Sequence, residues 1–334
     1  MNSTRAHFRT STTPPYGREV DDRGARGSSG SGIGRGVVSI LGGVSSLQFG
    51  AALAATLFPL VGPIATVTLR LTVAAIVLTA IKRPRLRGRT LRSLAVPVTF
   101  GLVMAVMNLS LYESIDRLPL GVAITIEFLG PVGVALASSR RWVDAVLALA
   151  AGVGVVLLTG GIHDVNLTGV MFAFVAAGCW AVYILMNRSL GRQQADGGLA
   201  IAAIVAASAM LPLALATVGS GVFRAHVLLL GVAVGVLSSV VPYTTDMLAL
   251  RRIPVGVFSV MMSIHPAAAA VAGFFVLDES LSGRQLAGIA LVIIASASAS
   301  ALAHRRSTPA AGVQLMRRAR SSRAAAGSRS IPSP

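Results

Sequence analysis

Charge is scarce in this chain. Only 12% of its 334 residues are Asp, Glu, Lys or Arg, against about 25% in a typical soluble domain. A single cysteine, Cys179, excludes an internal disulfide framework and any metal cluster built on cysteine pairs. It sits in an apolar run and reads as a small packing residue. Aromatics make up 5% of the residues, and the basic stretches hold few of them. A nucleic-acid-binding face sets its basic residues on a folded domain, often with interleaved aromatics. The formal net charge of +17 therefore does not make nucleic acid a partner here. Catalytic signatures are missing as well: there is no HExxH, no GxSxG elbow, no P-loop and no complete GxGxxG. Gly32, Gly34 and Gly36 precede a long apolar run and form no nucleotide loop. The expectation is a protein that is not an enzyme and calls for neither cofactor nor metal.

What the chain has is apolar residues, 54% of the total. One soluble core cannot hide that much apolar surface, whereas a lipid bilayer can. A spanning helix needs roughly 17–25 mostly apolar residues. Such runs fall near 37–58, 63–81, 94–112, 120–138, 145–160, 169–187, 199–218, 227–248, 255–276 and 286–303. The runs are continuous rather than alternating, which favours helices over a barrel. The expected fold is an all-α membrane protein of about ten transmembrane helices. The Arg-, Ser- and Gly-rich segments 1–36 and 304–334 read as disordered tails. The first apolar run is too long for a signal peptide.

Basic residues in short loops mark the cytoplasmic side. With the N-terminus inside, about 25 of the 29 Lys and Arg residues fall in inner segments. Arg117, Arg224 and Arg284 are left outside, and Arg70 lies within a helix. The outer loops also carry Glu113, Asp116, Asp164, Asp278 and Glu279. This asymmetry predicts an inner, plasma-membrane location with both termini cytoplasmic.

The chain also repeats itself. Arg117-Leu118-Pro119-Leu120-Gly121-Val122 matches Arg252-Ile253-Pro254-Val255-Gly256-Val257, and Pro131 matches Pro266 at the same spacing. One residue further out of step, Gly152 to Val156 matches Gly288 to Val292. The halves 37–160 and 169–303 are thus expected to be two five-helix repeats. Five is odd, so the second copy must enter the membrane from the opposite side. Inverted repeats of this kind are typical of secondary transporters, in which one half rocks against the other around a midplane site. No ATP site is present, so uphill transport would draw on an ion gradient. Gly130-Pro131 and His265-Pro266 fall near the middle of helices four and nine. Mid-helix proline removes a backbone hydrogen bond. Paired breaks at corresponding positions point to the transport site, although each could be a purely structural kink.

Ionisable groups at helix centres cost about 2.5–3.5 kcal/mol each on insertion scales. Glu127 lies one turn before Gly130-Pro131 and could hold a proton or a substrate cation. Arg70 could bind a substrate carboxylate or neutralise Glu127. His265 could titrate or simply pack. Gln48, Asn108, Tyr112, Trp180, Tyr183 and Tyr243 are the uncharged candidates for a cavity wall. Asp246 sits near a helix end and reads as solvated. Gly231 and Gly235 read as helix packing.

Several stretches resemble the drug/metabolite transporter superfamily, in its ten-helix branch with paired EamA-type repeats, and within it the threonine/homoserine exporters. They are Ser46-Leu47-Gln48 with Leu57 to Gly62, Met107-Asn108, Pro119 to Ala123, Glu127-Phe128 with Gly130-Pro131, Ser138 to Arg141 with Asp144, Cys179-Trp180-Ala181 with Tyr183 to Leu185, and Pro242-Tyr243. The resemblance implies export of small amino acids or related metabolites by proton antiport with alternating access, and makes Glu127 a shared feature. His265 stands where that pattern has an acidic residue, which bears on specificity or coupling. Export of lipophilic toxic cations is the alternative reading, and a membrane-embedded enzyme or scaffold a weaker one. The implied partners are a small-molecule substrate, the proton and the lipid bilayer; a homo-oligomer is compatible with the sequence.

Overall fold

The computed structural model describes residues 22–84, 90–137, 142–159, 166–190, 197–218, 221, 223–250 and 255–302. The expected tails beyond 22–302 and the loops between these segments lie outside the described residues. What is described is helical. The elements are α1 (Asp22–Ala55), α2 (Phe58–Lys82), α3 (Leu91–Ile115), α4 (Leu120–Glu127), α5 (Leu129–Ala137), α6 (Trp142–Thr159), α7 (Leu167–Leu190), α8 (Gly198–Val218), α9 (Ala225–Gly235), α10 (Val241–Leu250), α11 (Val255–Met262) and α12 (His265–Leu277). A last helix, α13, covers Gly283–Leu302. Eight described spans are long and apolar enough to cross a membrane, and two shorter apolar helices, Leu120–Val134 and Ala145–Leu158, bring the set to ten. The first helix begins at Asp22.

Large apolar side chains stand on the outside, among them Trp142, Leu229, Phe275 and Leu149. That is the surface a bilayer requires. Lipid supplies no hydrophobic drive between helices, so small residues must let backbones approach closely. Gly154 of α6 and Gly288 of α13 meet in this way. A Cβ on Gly288 would lie 2.6 Å from the Gly154 carbonyl oxygen, and one on Gly154 would lie 3.0 Å from the Gly288 carbonyl oxygen.

The halves echo each other in packing. α3 packs on α7, and its counterpart pair is α1 against α9 and α10; α3 packs on α8 as α2 does on α9; α5 packs on α7 as α1 does on α12. Even the strained turns recur: Gly62 (φ 73°) and Gly197 (φ 81°), 135 residues apart, both take the left-handed backbone that glycine tolerates. The start of α4 touches the end of the α12 arm, through Leu120 and Glu279. Helices four and nine therefore run in opposite directions, as inverted copies must.

Both are interrupted. α4 stops at Glu127 and α5 restarts at Leu129; α11 stops at Met262 and α12 restarts at His265. The breaks lie one turn before Gly130-Pro131 and Pro266 rather than at them. The physical reason is that a proline ring collides with the carbonyl four residues earlier. Four residues before Pro131 is Glu127, and four before Pro266 is Met262. The proline positions were legible, but the break falls where the carbonyl is displaced. Pro242 acts alike: it follows a π-helical segment, Val236–Val240, whose Leu237 carbonyl accepts from Ser46 Oγ at 2.8 Å.

Candidate functional site

Glu127 is the last residue of α4 and is 6% exposed. The break places its carboxylate at a helix end inside the bundle. Phe128, in the gap, stacks on the His265 imidazole (centroids 6.1 Å apart, planes at 24°) and meets Trp180 edge-on at 5.5 Å. His265 opens α12 and is buried; its Nδ1 lies 2.9 Å from Gln48 Nε2 of α1. If the Gln48 amide donates, the imidazole is neutral, with its proton on Nε2. Gln48 Oε1 is buried and has no partner. A buried acceptor without a partner costs about 1–3 kcal/mol, a cost a ligand donor can remove.

Arg70 is half-buried in α2. Its Nη1 donates to Tyr112 Oη at 3.4 Å, and its Cζ lies 5.6 Å from the centre of the Tyr112 ring. Its positive charge acts on the Glu127 carboxylate without a direct ion pair between the two; ion pairs do join Arg117 to Glu113 and to Asp116. Tyr112 is fully buried and also packs on Phe58. Arg70 is thus held by the Tyr112 hydroxyl and ring rather than by a carboxylate.

The remaining candidates are placed differently. Asn108 Nδ2 donates to the Met104 carbonyl one turn earlier in its own helix. Tyr183 stacks on Phe100 at 4.6 Å, in a separate core cluster with Ala202. Trp180 belongs to the Phe128 cluster. The Tyr243 side chain lies outside the described residues. The 135-residue offset pairs Gln48 with Tyr183 and Asn108 with Tyr243, so these four candidates hold equivalent sequence positions in the two halves. Among the described residues no three His, Cys, Asp or Glu side chains gather where a metal could sit.

Three features escaped the residue-by-residue reading. Phe128 follows the residue whose carbonyl Pro131 displaces, and its ring stacks on the His265 imidazole. Ser263 Oγ and Ser296 Oγ form a buried hydrogen bond at 3.0 Å, a long-range contact without a local signal. Glu279 reaches across the halves to the Leu120 N–H of α4, a long-range contact without a local signal.

A membrane-crossing, all-helical bundle with two opposed, interrupted helices and a buried ionisable cluster at the interruptions defines a multi-pass membrane transporter. The sequence pattern of the EamA-like transporter family matches residues 167–300. The threonine/homoserine exporters RhtA of Salmonella typhimurium (strain LT2) and of Escherichia coli (strain K12) are each 39% identical to the chain over 264 residues, 78% of this chain and 89% of theirs. One solved crystal structure, of a protein 21% identical, covers 80% of this chain and 98% of its own with a TM-score of 0.51, and so shares the fold. The chain belongs to the EamA-like transporter family.

Proposed function

We propose that the protein exports small amino acids or closely related metabolites, of the threonine and homoserine kind, across the inner membrane by proton antiport. The observation that carries this reading is a buried carboxylate, Glu127, at the interrupted helix, within electrostatic reach of the Arg70 guanidinium of α2. A free amino acid carries an ammonium and a carboxylate on neighbouring atoms. Glu127 offers an acceptor for the first, and Arg70 a fork of donors for the second. Gln48 Oε1, an acceptor in want of a donor, suits a hydroxyl on the side chain. A carboxylate buried at a helix break can also exchange its substrate cation for a proton, which makes the two compete for one group. The 39% identity to exporters named for threonine and homoserine supports the substrate class. The two halves would be 37–160 and 169–303, with both termini in the cytoplasm, in line with the basic inner loops.

The test is flux in proteoliposomes loaded with labelled threonine, with and without a pH gradient. Gradient-dependent threonine release, competed by homoserine and not by lipophilic cations, is the expected result. Release of a lipophilic cation with no movement of any amino acid overturns the proposal.

A further inference from the structure

Gln48 and His265 meet across the two halves with little freedom between them. The imidazole Nδ1 lies 2.9 Å from Gln48 Nε2. The ring opens α12, just before Pro266, and bears on Phe128 with its plane 24° from that ring. The α1 backbone under Gln48 is pinned on another side. Ser46 Oγ donates to the Leu237 carbonyl at 2.8 Å, and a Cβ on Gly50 would run into Ser238 Oγ. Leu237 and Ser238 belong to the π-helical segment, and Pro242, five residues after Leu237, has no N–H to give that carbonyl in the π pattern. The soft coordinate left to the pair is the terminal torsion of the Gln48 amide.

That torsion decides what Gln48 offers a ligand. An imidazole nitrogen without a proton accepts, and one with a proton donates. While Nδ1 is bare, the amide N–H faces it and Oε1 points elsewhere, buried and without a partner. Once Nδ1 carries a proton, two donors face each other. A half-turn of the amide removes the conflict: Oε1 then accepts from Nδ1, and the amide N–H takes the place that Oε1 held. The two ends of the amide are nearly equal in size, so the exchange needs no room. Few other charges bear on the ring. α1 carries none from Gly36 to Ala55, α12 has none besides His265, and α4 has only Glu127, next to Phe128; Arg70 of α2 acts on Glu127 in turn. A charge buried without water is costly, so the ring gains its proton when water reaches the gap.

We propose that the Gln48 amide selects ligands by hydrogen-bond polarity, under the control of the proton on His265 Nδ1. With Nδ1 bare, the site takes a ligand group that donates; with Nδ1 protonated, it takes one that accepts. A hydroxyl does both and fits either state, an ammonium fits only the first, and an ether oxygen only the second. A ligand held there through an ammonium is released when the ring gains its proton. Proton and cargo are thus coupled at a second point, apart from Glu127. The ligand class rests on the amino-acid reading above; the exchange between Gln48 and His265 does not.

Two measurements on the full chain test this. In the first, histidine is isotope-labelled at its ring nitrogens and followed by NMR, with His265 picked out from the five histidines by its loss in His265→Asn. Neutral His265 is expected with its proton on Nε2, and Gln48→Glu, an acceptor in either orientation, moves that proton to Nδ1. A neutral wild-type ring with its proton on Nδ1 overturns the selector. In the second, diaminobutyrate, with a side-chain ammonium, and O-methylthreonine, with an ether, compete against labelled threonine in proteoliposomes. As pH falls through the ring titration seen in the spectra, preference shifts toward the ether by about tenfold, the scale of one neutral hydrogen bond. Gln48→Leu retains Glu127 and shows only the smaller shift that this carboxylate causes. A shift in Gln48→Leu equal to that of the wild type overturns the selector. A ring proton that moves as expected, in a chain that moves no amino acid, keeps the exchange and removes only the substrate assignment.

Discussion

The two interrupted helices share a backbone and differ in chemistry. α4 ends on a carboxylate, Glu127, whereas the equivalent residue at the end of α11 is Met262. The second half instead brings His265 into the gap, tied to Gln48 and stacked on Phe128. Proline at matching places imposes the same break twice; the residues around it have diverged. Duplicated geometry with unequal side chains makes one half the charged wall of the site and the other its neutral wall.

The largest expected effect is on the charged wall. Glu127→Gln lowers threonine flux about a hundredfold, near the upper limit for losing a charged hydrogen-bond partner, with membrane insertion intact by fractionation. His265→Ala should cost about tenfold, as expected for a neutral contact; equal losses in the same flux assay would abolish the distinction between the walls. Pro131→Ala or Pro266→Ala restores a backbone donor and heals one break. Flux should fall about tenfold, while the unfolding midpoint holds or rises because a helix interior disfavours proline by about 3 kcal/mol. A healed helix that transports normally would leave the breaks with no role beyond packing. Gln48→Leu removes the tether on His265 and an acceptor, and should weaken threonine more than alanine in competition assays, by a few-fold as for one neutral hydrogen bond. Equal weakening of the two would detach Gln48 from the hydroxyl.

The smallest effect is on pH. Burial pushes the Glu279 carboxyl above its ordinary value of 4.5, against the opposing pull of the Leu120 N–H. A raised carboxyl favours the folded protein while protonated. Its contribution is full below 4.5 and is lost as pH rises through the shifted value. Compared with Glu279→Gln, wild-type protein should therefore lose unfolding midpoint as pH climbs through that window. A difference that is flat with pH refutes it.

Much of the architecture could be read from residue order alone. The ten apolar runs, the 135-residue echo and the paired prolines are local or periodic signals, and α4 against α12 follows from them. Glu127 was marked by its cost in lipid, and it lies at the break. The site's connections were another matter. Whether Arg70 meets Glu127 or Tyr112 depends on side-chain reach across α2, α3 and α4, and no spacing encodes it. Tyr183 looked like a wall residue, yet its ring is packed against Phe100. The Ser263–Ser296 bond joins helices through rotamers that only packing selects.

The meeting of Gly154 with Gly288 has a mechanical consequence. Each glycine leaves the space that the other's backbone fills, with Val292 and Leu158 pressed against the crossing. Sliding α6 along α13 would drag those side chains through a gap with no room for a methyl group. Turning about the crossing moves nothing through it. The last helices of the two halves thus meet at a crossing that resists sliding and leaves turning as the freer movement there.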